Sequence, residues 1–290
     1  DSKIVDIITE EFKIKRWQAE NTIELIDDGN TIPFIARYRK EKTGTLSDET
    51  LREFFDRLTY LRNLESKKEE TARLIDEQGK LTEEISAAIA NAVTLSELED
   101  IYRPYRPKRR TRATIAKEKG LEPLAEILIK QDISDTSAEN LALDYIDAEK
   151  GVETAEDALN GAMDIIAESI SDNADYRKAI RSMTMRSGMI VSKAAKDEDS
   201  VYRLYYDFSE PVSKLANHRL LAINRGEKEG FLTVKLTAEE EPIINYLYRH
   251  LTPKKRAVTT EYVERAAEDA YKRLIAPSIA TEIRNTLTEN

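Results

Sequence analysis

Apolar residues recur every three to four positions through most of this chain, and that period predicts helix after helix. Ile4, Ile7, Ile8 and Phe12 open the series, followed by Trp17, Ile23 and Ile26 up to a stop at Gly29. In "NTIPFIARYRKEKTGTL", Asn30 or Thr31 is placed to cap a helix, Pro33 fits its first turn, and Phe34, Ile35 and Tyr38 are expected to face the core. Ser47 caps the next helix, whose stripe of Leu51, Phe54, Phe55, Leu58, Leu61 and Leu64 turns into a more charged pattern running to Gly79. Thr82 caps another helix, with Leu81, Ile85, Ala88 and Ile89 as its buried face, and "LSELEDIY" supplies a short third piece.

Pro104 and Pro107 interrupt the period and favour an extended path. Helical spacing resumes at Thr114 and continues in "SAENLALDYID". One long helical segment is expected from Thr154 to about Lys196, with Ala158, Leu159, Ala162, Ile165, Ile166, Ile170, Tyr176, Ile180 and Met183 on its apolar face. Alternation of period two appears only in "VYRLYYDF" and "FLTVKLT", so strand is expected near residues 201–208 and 231–237 and nowhere else. Between these lies a helix closed by Gly226 or Gly230, and the tail is helical with an interruption at Pro277. The predicted fold is all-α, mostly helix with one small β element. It is read as a discontinuous helical body, residues 1–61 and 116–290, with a three-helix, helix-turn-helix-type unit, residues 62–115, inserted in it.

Composition agrees with helix: only 9 Gly and 8 Pro interrupt 290 residues, and charged residues reach 34%. The absence of cysteine excludes disulfides and thiolate metal sites and is compatible with a reducing compartment. With no apolar run near the roughly 20 residues that span a bilayer and no signal-peptide pattern, the expectation is a cytoplasmic protein without a membrane partner. The first residue is not Met, as in a trimmed chain.

Charge changes the picture more. The chain is acidic, with a formal net charge of -10, which argues against a general polyanion binder and makes any nucleic-acid contact local. Yet "IYRPYRPKRRTRATIAKEKG" carries eight Lys and Arg against one Glu. Arg103, Arg106, Lys108, Arg109, Arg110 and Arg112 are the candidate phosphate contacts, with Tyr102 and Tyr105 able to stack on bases. The structural alternative stands beside it: prolines and Tyr102 pinned against helices, with arginines paired to the abundant carboxylates. A combined expectation makes Arg103 and Arg106 the paired residues and Lys108, Arg109, Arg110 and Arg112 the exposed tip. "ARYRKEK" and "TPKKRAV" read more simply as solvated basic segments. His218 and His250 are the only histidines and lack ligand spacing, so no metal or cofactor is expected. Phosphate-binding loops, nucleophile elbows and zinc-helix motifs are missing, and a non-enzymatic chain is expected.

Three segments carry a resemblance: "NTIPFIARYRKEKTGTL", "LEDIYRPYRPKRRTRATIAKEKGLEPLA" and "HRLLAINRGEKEGFLTV". In this order they resemble the N-terminal region of the Tex family of bacterial transcription accessory proteins, related to a eukaryotic transcription elongation factor. The resemblance implies a fragment of a longer protein whose ribonuclease-H-like, tandem helix-hairpin-helix and S1 domains lie beyond Asn290. It implies a nucleic-acid-binding module in transcription, its affinity for RNA or DNA weak without S1. The alternative is a helical scaffold that positions those domains and docks transcription machinery such as RNA polymerase; a nuclease ranks last, because the part that would carry it is absent.

Overall fold

The computed structural model describes residues 1–289. The helical period is realised as a mostly α-helical chain with, among the described residues, one three-stranded sheet, and it forms two compact units, Asp1–Tyr102 and Arg103–Asn290.

The first unit contains α1 (Ser2–Phe12), α2 (Arg16–Asp27), α3 (Ile32–Tyr38), α4 (Lys40–Thr43), α5 (Asp48–Glu77), α6 (Glu83–Asn91) and α7 (Leu95–Tyr102). The Ser47 and Thr82 side chains accept from Thr50 and Ile85 backbone N–H groups, so the expected caps form. Leu51, Phe54, Leu58, Leu61 and Leu64 of α5 are buried, and Phe54 packs with Ile8, Ala19 and Ile23 of α1 and α2. Phe55, the odd member of that stripe, is exposed, as is Ala88 of α6. α5 runs unbroken through Arg62. α6 and α7 pack on α5 and on each other. Lys68 donates to the Ala90 carbonyl at 2.9 Å, and Tyr60 Oη accepts from Leu95 N–H at 2.9 Å.

The second unit is built round α11 (Ala155–Ser171). α8 (Arg112–Glu118), α9 (Glu122–Lys130), α10 (Ala138–Ala142) and α15 (Thr260–Asp269) all pack on it. Small residues at the contact, Ala158, Gly161 and Ala162, allow this close approach: a Cβ on Gly161 would stand 2.2 Å from Leu121 Cδ1.

The long segment expected from Thr154 to Lys196 is three elements instead. α11 stops at Ser171, Asn173 recaps α12 (Ala174–Ser187), and β1 (Met189–Ala194) follows. β1 is the central strand. It pairs antiparallel with β2 (Asp207–Pro211) and β3 (Leu232–Thr237), and Ile190 faces Glu210 on one side and Leu236 on the other. The expectation of strand only near 201–208 and 231–237 is therefore corrected: a third strand lies earlier, and residues 201–206 are turns around one 3-10 turn, Arg203–Tyr205. "MIVSKA" buries only Ile190 and Ser192 completely, too brief an alternation to stand out beside an amphipathic helix. α13 (Asn217–Lys228) and α14 (Glu240–Leu251) flank β3 in sequence. α15 passes through a π-helical turn (Ala270–Ile275) into α16 (Ala276–Glu289). The wider turn directly precedes Pro277, whose ring would crowd the carbonyl four residues back in a regular helix.

One contact makes a pH-dependent prediction. Tyr262 Oη on α15 donates to Glu139 Oε1 at 2.9 Å in the first turn of α10. Burial first, then this bond, pushes the Tyr262 phenol up to about 12. Glu139 is held below the usual carboxylate range, first by its own backbone N–H and then by Tyr262. The phenol's contribution to stability is complete below its unfolded value of about 10 and is lost as pH rises through its folded value. The carboxylate's contribution is present above its unfolded value and is lost as pH falls through its lowered folded value. Tyr262→Phe is expected to remove the highest step of the tyrosinate absorbance titration and to make thermal stability less sensitive to pH above about 10.

Candidate nucleic-acid interface

The basic segment begins the second unit. Arg103–Tyr105 form one 3-10 turn, closed by Arg106 N–H to the Arg103 carbonyl at 3.4 Å, rather than an extended strap. Pro104 and Pro107 are exposed and not pressed into the body, and Tyr102 and Tyr105 are half-buried. The segment is anchored by charge. α11 ends with Glu168 and Asp172 one turn apart, at the negative end of the helix, where cations are favoured. Lys108 ion-pairs with Asp172 and lies 3.5 Å from Glu168, and Arg103 Nε is 3.5 Å from Asp172. The Lys108 side chain keeps 25% of its exposure, Glu168 17% and Asp172 14%.

Arg103 thus has the carboxylate partner expected of it, and Lys108, an exposed residue as expected, has carboxylate partners as well. Lys108 belongs to the anchor because two carboxylates at one helix end hold a second cation. Arg106 is exposed but engaged.

Beyond Lys108 the charges are differently placed. Arg109 is exposed and has no ion-pair partner among the described residues. Arg110 meets Glu118 at 3.2 Å with both side chains largely in solvent, a pairing worth only about 0–1 kcal/mol. Arg112 is not part of the irregular segment: it is the first residue of α8. That helix starts two residues earlier than its apolar period suggests, because Thr111 and Thr114 cap it reciprocally, at 3.1 Å and 2.7 Å. Arg112 is exposed and lies in the field of Asp164 on α11. Burial raises the Asp164 carboxyl above its ordinary range, and Arg273, Arg112 and Lys119 oppose that rise.

The other basic segments divide in the same way. In "TPKKRAV", Arg256 ion-pairs with Glu264, whereas Lys254 and Lys255 are exposed. In "ARYRKEK", Tyr38 is 55% exposed and not core-facing as its spacing suggests. α3 ends at that residue and Ile35 is its one fully buried residue, with Ile32 and Ala36 packed beside it against the core. His250 is bonded to the Tyr246 carbonyl through Nδ1, and His218 lies exposed in the first turn of α13. Among the described residues no group of three or more His, Asp or Glu gathers as a metal site, and no helix is long and apolar enough to cross a membrane.

Comparison with known proteins gives two family matches. The model described as Tex-like protein N-terminal domain matches residues 2–76, and that described as Tex central region-like matches residues 134–290. The basic segment lies between the two matched stretches. The chain is 45% identical over 286 residues to the uncharacterized protein YdcI of Bacillus subtilis, covering 97% of this chain and 40% of that protein. It is 40% identical over 236 residues to the transcriptional accessory protein Tex of Neisseria gonorrhoeae, covering 80% of this chain and 31% of that one. A human relative, S1 RNA-binding domain-containing protein 1, is 31% identical over 304 residues, covering 99% of this chain and 30% of its own length. The chain spans well under half the length of these relatives.

Proposed function

The chain belongs to the Tex family, and from that membership we propose that it is a non-enzymatic nucleic-acid-binding module of a transcription accessory protein, acting in the cytoplasm. Arg109, Arg110 and Arg112 contact phosphates, while Arg103, Arg106 and Lys108 hold the segment that presents them. The names of two relatives, a transcriptional accessory protein and an S1 RNA-binding domain-containing protein, support transcription as the setting and RNA or DNA as the ligand. The observation that carries the reading is the division of charge at Lys108. The cations before it are engaged, and those after it lie in solvent with weak partners or none.

The test is a salt titration. The triple variant Arg109→Ala/Arg110→Ala/Arg112→Ala should bind short single-stranded oligonucleotides more weakly than the parent. Its log affinity should fall less steeply with log salt, by about 2 in slope, since each phosphate contact on a single strand contributes about 0.7. Equal affinity and slope in parent and variant would remove the reading.

A docking scaffold is the second reading, and one observation favours it. Val201 and Leu204, on the connection between β1 and β2, are 88% and 84% exposed, an apolar pair of the kind that partners cover. Under this reading the triple variant captures RNA polymerase as well as the parent does.

A further inference from the structure

The α3–α4 elbow, Ile32–Thr43, carries four cations that the Lys108 region does not explain. Arg37, Lys40 and Lys42 are exposed, and Arg39 is half-buried. Among the described residues none of the four pairs with a carboxylate, although acids outnumber bases 55 to 45 along the chain. Glu41 is the one acid among them, also exposed and unpaired. Elsewhere in the same unit the arginines Arg16, Arg52, Arg57, Arg62 and Arg73 all have carboxylate partners. Left to solvation alone, such a cluster repels itself, so its persistence fits an anionic ligand.

Aromatic surface lies among these charges. Tyr38 stands 55% exposed with its ring 5.3 Å from Phe34. The Arg39 guanidinium covers Phe34 at 5.0 Å, and Arg37 lies 5.6 Å from the Tyr38 centroid. Arg39 also donates to the Tyr38 carbonyl at 3.0 Å, which fixes the turn between α3 and α4.

The elbow is clamped from behind by α2. Gln18 Nε2 donates to the Thr43 carbonyl and Asn21 Nδ2 to the Lys42 carbonyl, both at 3.0 Å. Gly44 permits the approach, since at its φ of 69° a Cβ would stand 2.3 Å from Gln18 Nε2. Trp17, 45% exposed, precedes Asn21 by one turn on the same face of α2. The cations are therefore mounted on a held backbone beside exposed aromatic rings. An acidic peptide would use the cations but gain little from an uncovered Tyr38, whereas every nucleobase presents a face that stacks on it.

We infer that the α3–α4 elbow is a second, separate binding surface for single-stranded nucleic acid, with Arg37, Lys40 and Lys42 on the phosphates and Tyr38 stacked on a base. It goes beyond the proposed function, because it involves none of the residues from Arg103 to Arg112. RNA and DNA share the chemistry that this surface reads, and parallel oligouridine and oligothymidine titrations separate them.

The experiment measures fluorescence anisotropy of labelled oligouridine and oligothymidine with the 290-residue protein at rising salt. Arg37→Ala/Lys40→Ala/Lys42→Ala is expected to weaken binding to at least one of the two about tenfold or more, and to flatten the salt slope by about 2. Tyr38→Ala should weaken it about fivefold or more, while Tyr38→Phe retains affinity. Photocrosslinking of the parent with thiouridine-containing oligonucleotide needs no variant to fold and should label peptides within residues 32–44. Unchanged affinity and slope in the triple variant overturn the inference, as does crosslinking confined to other peptides. So does a polyglutamate peptide whose binding is lost in that variant while oligonucleotide binding is not. Loss of binding in the Arg109/Arg110/Arg112 variant alone leaves the proposed function standing and overturns this surface.

Discussion

Replacing Arg177 with alanine is expected to lower the unfolding free energy by about 3–5 kcal/mol, the range of a broken buried polar network. Arg177 of α12 is 2% exposed and among the largest fully buried side chains of the protein. Its guanidinium donates to the Ser171 carbonyl at 3.1 Å and to Ser278 Oγ at 2.7 Å. Ser171 is the last residue of α11, so its carbonyl has no helical N–H to receive. One side chain thus closes the end of α11 and ties α12 to α16. Alanine would leave the carbonyl dry and unpaired and open a cavity. The melting temperature should fall by about 10 °C for a unit of this size. Lysine should recover only part, because a single ammonium does not reproduce the planar fork. Methionine should cost less than alanine, because it fills the volume without burying a charge. A melting temperature for Arg177→Ala within 2 °C of the parent (about 0.5–1 kcal/mol) would mean that desolvation of the guanidinium cancels its bonds.

The second large effect is expected at Lys108. Alanine there should cost about 2 kcal/mol, between the values of exposed and of buried pairs. It removes the closer cation from Glu168 and Asp172, which stand together at the negative end of α11 with Arg103 at 3.5 Å from Asp172. Arg109→Ala, one residue away, should change stability by less than about 0.5 kcal/mol. Urea unfolding of the two single variants decides it. A double-mutant cycle of Lys108→Ala with Asp172→Asn should return a coupling of about 1 kcal/mol or more. Equal, small effects from both single variants would place Lys108 with the unanchored charges and remove the division of charge on which the proposed function rests.

The sequence by itself determined the helical character of this protein and most of its helix starts. Ser47 and Thr82, read as caps, accept the expected N–H, and Ser137 and Thr154, which open two segments read as helical, accept one in the same way. Capping and apolar period are local, so they are legible in a single chain. The same holds for the concentration of positive charge between Arg103 and Arg112, and for the three segments that carry the family resemblance.

Tertiary structure decided the rest, because each remaining question turns on a partner distant in sequence. Nothing local in "DYRKAIRS" marks Arg177 as the cation to be buried beside its apolar Tyr176 and Ile180, and Ser278, 101 residues away, is what meets it. β1 is a strand because β2 and β3 supply its hydrogen bonds from both sides, while its own six residues carry little alternation. Lys108 and Arg109 are neighbours of like charge. Both are exposed, and it is Glu168 and Asp172, the latter 64 residues beyond Lys108, that make the first an anchor and leave the second without an ion-pair partner among the described residues. Tyr38 has the spacing of a core residue, and it stays in solvent because α3 ends beneath it with Ile35 already filling the core position. A periodic pattern states which residues can be buried together. The long-range carboxylate, carbonyl or strand edge that arrives opposite them fixes which are, since a buried polar group is stable only where such a partner meets it.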